Sequence, residues 1–271
     1  MNLNPPILIP SRGRARLFAT DRSTTSKFSQ EELSRTYVFV PPEEVESYRA
    51  TNKIVHANII PVDSMGMGKI REFMAQWARQ NLGVNSAFMF DDDIEFFVRK
   101  SELETSLVKA TATDIFTMLM CAENELWSEE TIGCVGISAR QGNNNSGPGF
   151  PHQFERNTRI IRAFLFSLDA FLAMKHGRVQ YMEDFDVLLQ LLKAGWRNKN
   201  LTYYAQDQRG TQTDGGCSIH RTHENHEEAA RMLQSLHPDV VKLRDKVNKT
   251  GGHFGTRKEV TIQWKRALRG V

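Results

Sequence analysis

Three consecutive carboxylates, Asp91-Asp92-Asp93, follow the apolar run Ala87-Phe88-Met89-Phe90 and lead into Ile94-Glu95-Phe96. Carboxylates this close repel one another, and a divalent cation between them removes the repulsion. Hard ions such as Mg²⁺ and Mn²⁺ prefer carboxylate oxygen and keep coordination positions open for phosphate. An Asp-x-Asp at the end of a buried strand therefore points to a metal-bridged diphosphate. Asp91 and Asp93 are the candidate ligands, and Asp92 lies beside the same ligand. A solvated acidic turn neutralised by nearby Arg or Lys is the competing explanation.

A second acidic group is Tyr181-Met182-Glu183-Asp184-Phe185-Asp186. The first turn of a helix tolerates acids because of its dipole. Two acidic clusters are more than capping requires, so Asp184, or failing it Glu183, is a candidate general base for an acceptor hydroxyl. Pro10-Ser11-Arg12-Gly13-Arg14 supplies a turn, a hydroxyl and two guanidiniums suited to phosphate or a base. Asp63-Ser64-Met65-Gly66-Met67-Gly68-Lys69-Ile70-Arg71 opens a helix, whose N-terminus favours anions, with Gly68 allowing close approach of a ligand. The spacing to Lys69 is not that of a Walker loop. An ordinary capping turn, with Asp63 or Ser64 as N-cap, explains the same residues. His220, His223 and His226 lack the spacing of a zinc site, but His220 or His253 could complete the metal shell of the aspartates.

These residues need a rigid frame, and the apolar pattern supplies one. Strands are expected at Ile7–Pro10, Tyr37–Val40, Ile54–Ile60, Ala87–Phe90, Ile132–Ile137, Ala163–Phe166 and Val260–Trp264. Helices are expected at Gly66–Gln80, where Ile70, Phe73, Met74, Trp77 and Ala78 share a face, and around Ile115–Leu126, Phe185–Leu192 and Glu227–Leu236. Alternation of this kind implies an α/β layered sheet with ligands beyond the carboxyl ends of its strands. Gln141–Gly149, rich in Asn and Gly, is expected to be a mobile loop near the site.

The 271 residues allow one large domain; 40% are apolar, 25% are charged, and the net charge is +3. That balance permits a polyanionic partner without requiring one. Three cysteines without metal or disulfide spacing fit a reducing cytoplasm. The first residues do not read as a signal peptide. The most apolar stretch, Ile160–Met174, is broken by Arg162 and Asp169 and is not expected to span a bilayer.

From Ile7 to Asp207 the order of these parts resembles a glycosyltransferase of the GT-A fold. Pro10-Ser11-Arg12-Gly13-Arg14 is similar to that family's first nucleotide-contacting loop, and Gly66–Arg71 to its helix beside the donor. Asp91-Asp92-Asp93 matches its Asp-x-Asp motif, and Glu183-Asp184 its Glu-Asp motif, again followed by an amphipathic helix and a Gly-Trp turn. Compact length and the lack of an anchor further resemble the phage-type TET-associated glycosyltransferases. That family's histidine after the base helix has no counterpart here, because Tyr204-Ala205-Gln206-Asp207 occupies the region.

The resemblance implies a mixed, mainly parallel sheet flanked by helices in a single domain over residues 1–271. The donor half is expected in about 1–100 and the catalytic and acceptor half in about 101–271. It implies a hexosyltransferase type of reaction, with transfer from a UDP-sugar assisted by Mn²⁺ or Mg²⁺. The implied acceptor is a hydroxymethylated pyrimidine in DNA. In this assignment Pro10, Ser11, Arg12, Arg14, Asp63, Gly68, Lys69 and Arg71 line the donor. Asp91 holds ribose or a metal-bound water, and Asp93 ligates the metal. The modest basicity and the Arg257, Lys258, Lys265 and Arg266 cluster suit DNA phosphates. Other expectations compatible with the residues are a polysaccharide or protein acceptor, nucleotidyl transfer, and a non-catalytic DNA-binding role. The sugar, the anomeric outcome and the oligomeric state stay open.

Overall fold

The computed structural model describes residues 4–51, 57–148, 154–208, 222–247 and 256–268. Its centre is a ten-stranded mixed sheet. The strands are β1 (Ile7–Pro10), β2 (Thr36–Val40), β3 (Asn58–Pro61), β4 (Ser86–Phe90), β5 (Ile94–Arg99), β6 (Leu107–Lys109), β7 (Ile132–Ala139), β8 (Phe154–Arg156), β9 (Ala163–Ser167) and β10 (Arg197–Gln208). Their order is β3-β2-β1-β4-β9-β7-β10-β5-β6, with β8 also on β10. Strands β3, β2, β1, β4, β7, β10 and β6 point one way, and β9, β5 and β8 the other.

The helices are α1 (Gln30–Ser34), α2 (Val45–Arg49), α3 (Met67–Leu82), α4 (Ala112–Trp127), α5 (Leu168–Leu172), α6 (Glu183–Lys193), α7 (His223–Leu236) and α8 (Trp264–Ala267). They cover both sheet faces, which is why β1, β4, β7 and β9 are buried along almost their whole length. Ile7, Ile9, Phe88 and Phe90 pack toward Ile115, Met118, Leu119 and Ala122 of α4. Leu8, Ala87 and Met89 pack the other way, toward Met74, Ala75 and Ala78 of α3 and Val187, Leu188 and Leu191 of α6. A third apolar cluster joins α6 to α7 and to a separate hairpin, β11 (Val241–Val247) with β12 (Thr256–Ile262). No described helix is long and apolar enough to cross a membrane.

Three local expectations are corrected. The N-cap of α3 is Gly66, with no side-chain cap, so neither Asp63 nor Ser64 caps it. Trp264 does not continue the late strand but opens α8, since β12 ends at Ile262. The Asn-rich segment, expected to be too flexible to pack, packs against β10 in its described part. Asn143–Ser146 form a 3₁₀ turn, and Asn143 is buried, donating to the Thr202 and Tyr204 carbonyls. The buried Arg99 guanidinium donates to the carbonyls of Asn143 and Gly147. Amides and a guanidinium do there what apolar packing does elsewhere.

Candidate active site

The parallel pair β1 and β4 ends at one edge, so Ser11–Arg14 and Asp91–Asp93 emerge side by side. Ser11 Oγ donates to Asp92 Oδ2 at 2.5 Å and lies 2.8 Å from Tyr48 Oη. Arg14 donates through Nη1 to Asp92 Oδ1 at 2.7 Å and Asp93 Oδ2 at 3.0 Å. Gln208, at the end of β10, donates to both Asp93 oxygens at 2.8 and 2.7 Å. Thr24 fixes the backbone of the acidic turn: its amide donates to the Asp92 carbonyl, its hydroxyl donates to the Asp91 carbonyl, and that hydroxyl accepts from the Ile94 amide.

Arg71 connects the two acidic clusters. Its Nη2 donates to Asp91 Oδ1 at 2.8 Å, and its Nη1 donates to Glu183 Oε1 at 3.1 Å. The guanidinium is buried and lies 5.2 Å from the centre of the Phe164 ring. Residues 91 and 183 are far apart in the chain, and α3 brings a single cation between them. Arg162 and Tyr181, with φ of 66° and 62°, flank the clusters in the left-handed region, which non-glycine residues rarely adopt. The Arg162 carbonyl accepts from the Asp91 amide.

Negative charge exceeds what these cations neutralise. Burial raises the Asp91 carboxyl above its ordinary range, Asp93 and Glu183 raise it further, and Arg71 opposes them. Burial and the neighbouring Asp93 push Asp92 up to about 6 despite Arg14. Asp184, in the first turn of α6, is pushed up to about 7 by burial and by Glu183, against Arg71 and Arg159. Its Oδ1 accepts from the Phe185 amide at 2.9 Å. A carboxyl near 7 is matched to proton abstraction at neutral pH.

Asp91 and Asp93 fit a hard divalent cation in donor chemistry and in charge, because a cation there would relieve the repulsion that raises Asp91. Among the described residues no three His, Cys, Asp or Glu side chains are placed to enclose a metal ion. His220 and His253 lie outside the described residues.

The remaining predicted positions divide. Pro10 ends β1 directly before Ser11. Arg12 and Asp63 are exposed and are not drawn into the hydrogen-bonded cluster. Lys69 pairs with Glu72 at 2.8 Å on the surface rather than with the aspartates. Gly68 is buried against protein: a Cβ there would come within 2.9 Å of the Gly177 amide nitrogen. Asp186, the third acid of the second cluster, binds Arg178 and His237 and ties α6 to the segment after α7. Sequence reasoning missed Gln208, Thr24 and Tyr48. Thr24 and Gln208 lie in polar runs and Tyr48 in a short helix, and none of the three belongs to a motif that would mark it.

A mixed, mainly parallel sheet flanked by helices on both faces is the architecture of the GT-A fold. GalNAc-T7, solved with UDP, GalNAc and Mn²⁺, superposes with a TM-score of 0.53 at 11% identity, over 85% of this chain and 48% of that one. This chain thus spans about half of that protein. A mycobacterial protein superposes with a TM-score of 0.50 at 9% identity, over 96% of this chain and 84% of that one. No curated protein matches the sequence. The TET-associated glycosyltransferase model matches residues 5–217, and the chain belongs to that family.

Proposed function

We propose that this glycosyltransferase moves a sugar from a UDP-sugar, with a divalent cation, to the hydroxyl of a hydroxymethylated pyrimidine in DNA. The observation that carries the reading is Arg71, whose single guanidinium joins the Asp91 end of β4 to the Glu183 start of α6. Asp91 and Asp93 would hold Mn²⁺ or Mg²⁺, which supplies charge neutralisation on the departing diphosphate. Arg14 and Ser11 keep the acidic turn in place, and with Arg12 they face the nucleotide side. Residues 1–100 would bind the donor, and 101–271 would supply the base and the acceptor surface. Asp184 accepts the proton of the acceptor hydroxyl as the new oxygen–carbon bond forms and the bond from anomeric carbon to diphosphate breaks. Displacement of that kind inverts the anomeric centre.

UDP in the structure of GalNAc-T7 supports the choice of donor, and family membership together with the basic C-terminal residues supports the acceptor. The test is UDP release from a panel of UDP-sugars with Mn²⁺, with and without a duplex containing hydroxymethylcytosine. Release stimulated by that duplex and by one sugar is expected. Release indifferent to DNA would refute the acceptor, and no release with any UDP-sugar would refute the donor.

A further inference from the structure

Beside α8 runs a groove of about 420 Å³ lined by Asn157, Thr158, Gln263, Trp264, Lys265 and Arg266. Its lining carries two exposed cations and no carboxylate. The Asn157 side-chain oxygen is buried and accepts no hydrogen bond among the described residues. One aromatic contact joins the groove wall to the helix that carries the second acidic cluster. Trp264 meets Phe185 edge to face at 5.7 Å, and Arg159 lies over the other partner of that contact, 4.9 Å from the Phe185 ring centre. Phe185 follows Asp184 directly, and the Arg159 charge acts on Asp184.

A surface with exposed cations, an aromatic edge, amide side chains and no acid suits a phosphodiester chain better than an acidic or apolar partner. We infer that this groove takes the sugar–phosphate backbone of the acceptor DNA strand next to the nucleotide being modified, with Lys265 and Arg266 on its phosphates. The inference rests on the DNA-acceptor reading above and adds where the strand lies. It gives the Trp-Lys-Arg of the four-residue helix α8 a role. It also ties the groove to the base by packing, since Trp264 rests on Phe185, which follows Asp184.

The test compares the full chain with its Lys265→Gln/Arg266→Gln variant, using a hydroxymethylcytosine duplex. DNA affinity is measured across a salt series, with UDP affinity in parallel. Loss of two phosphate contacts should lower the slope of log K against log salt by about 1.8 and weaken binding on the order of 10–100-fold near 0.1 M salt. UDP affinity should not change. A control of equal net charge, Lys100→Gln/Arg231→Gln, should keep the wild-type slope. Wild-type DNA binding that the groove variant fully retains, or that the control loses equally, would overturn the groove while leaving a DNA acceptor in place. Absence of salt-dependent DNA binding by the wild type would overturn both.

Discussion

Replacing Arg71 with Met tests whether one cation holds the two acidic clusters together. Met keeps an unbranched, apolar stem but is shorter and removes the charge and its contact with the Phe164 ring. Asp91 and Glu183 would then face each other and Asp93 without their shared partner, at side-chain exposures of 27% and 14%. Breaking a buried ion pair by removing one side costs about 3–5 kcal/mol. The partial exposure of Asp91 argues for the lower end, about 3 kcal/mol. At about 2–4 °C per kcal/mol for a chain of this size, Tm should fall by about 6–12 °C. Mn²⁺ should then stabilise the variant more than the wild type, because a cation bound only to the folded state adds about 2.7 kcal/mol at a hundredfold excess over its Kd. Thermal unfolding followed by near-UV circular dichroism, with and without Mn²⁺, measures both. A Tm within about 2 °C of wild type would show that Arg71 does not balance these carboxylates.

The other predictions address the base, the metal and the packing behind the site. Asp184→Asn should lower kcat by about 10²–10⁴-fold with UDP affinity unchanged, and an unchanged rate would remove Asp184 as the base. The same group sets a pH dependence. Its folded value near 7 lies above the ordinary 3.8, so the folded state binds the proton more tightly than the unfolded state. Asp184 therefore costs stability progressively as pH rises from about 4 to 7, by at most about 4 kcal/mol. Asp184→Asn should accordingly raise Tm at pH 8 and leave it unchanged at pH 4, and equal effects at both would refute that environment. Asp93→Asn should abolish the response of UDP release to Mn²⁺, whereas full metal-stimulated turnover would exclude Asp93 as a ligand. Gly68→Ala should cost about 1–3 kcal/mol by pressing a methyl group on Gly177, seen as a lower urea midpoint, and a wild-type midpoint would show that this turn yields freely.

Burial on both faces made many of the strands legible as apolar runs, although β5 (Ile94–Arg99), directly after the acidic turn, was not expected. Ile7–Pro10, Ala87–Phe90 and Ala163–Phe166 appear as strands at those positions, and α3 and α4 follow their apolar stripes. Strand β10 was invisible because its sequence, Arg-Asn-Lys-Asn-Leu-Thr-Tyr-Tyr-Ala-Gln-Asp-Gln, is polar. Several of its buried polar side chains take particular partners instead: Asn198 takes Thr158, Lys199 takes Glu125 and Ser128, and Gln206 takes the Ile161 carbonyl. Such pairing is long-range and leaves no periodicity. The acidic motifs stood out because their charge has no structural use in an apolar strand end. Ser11, Arg14 and Arg71 were expected to line the donor; that they bond the carboxylates themselves, Arg71 between Asp91 and Glu183, is set by the fold and by no local pattern.

The most direct test is the product itself. A duplex containing hydroxymethylcytosine is incubated with UDP-sugars and Mn²⁺, digested to nucleosides and analysed by mass spectrometry. Glycosylated hydroxymethylcytosine should form with the wild type and be sharply reduced with Asp184→Asn. Equal product from both proteins, or none from the wild type with any UDP-sugar, would contradict the account.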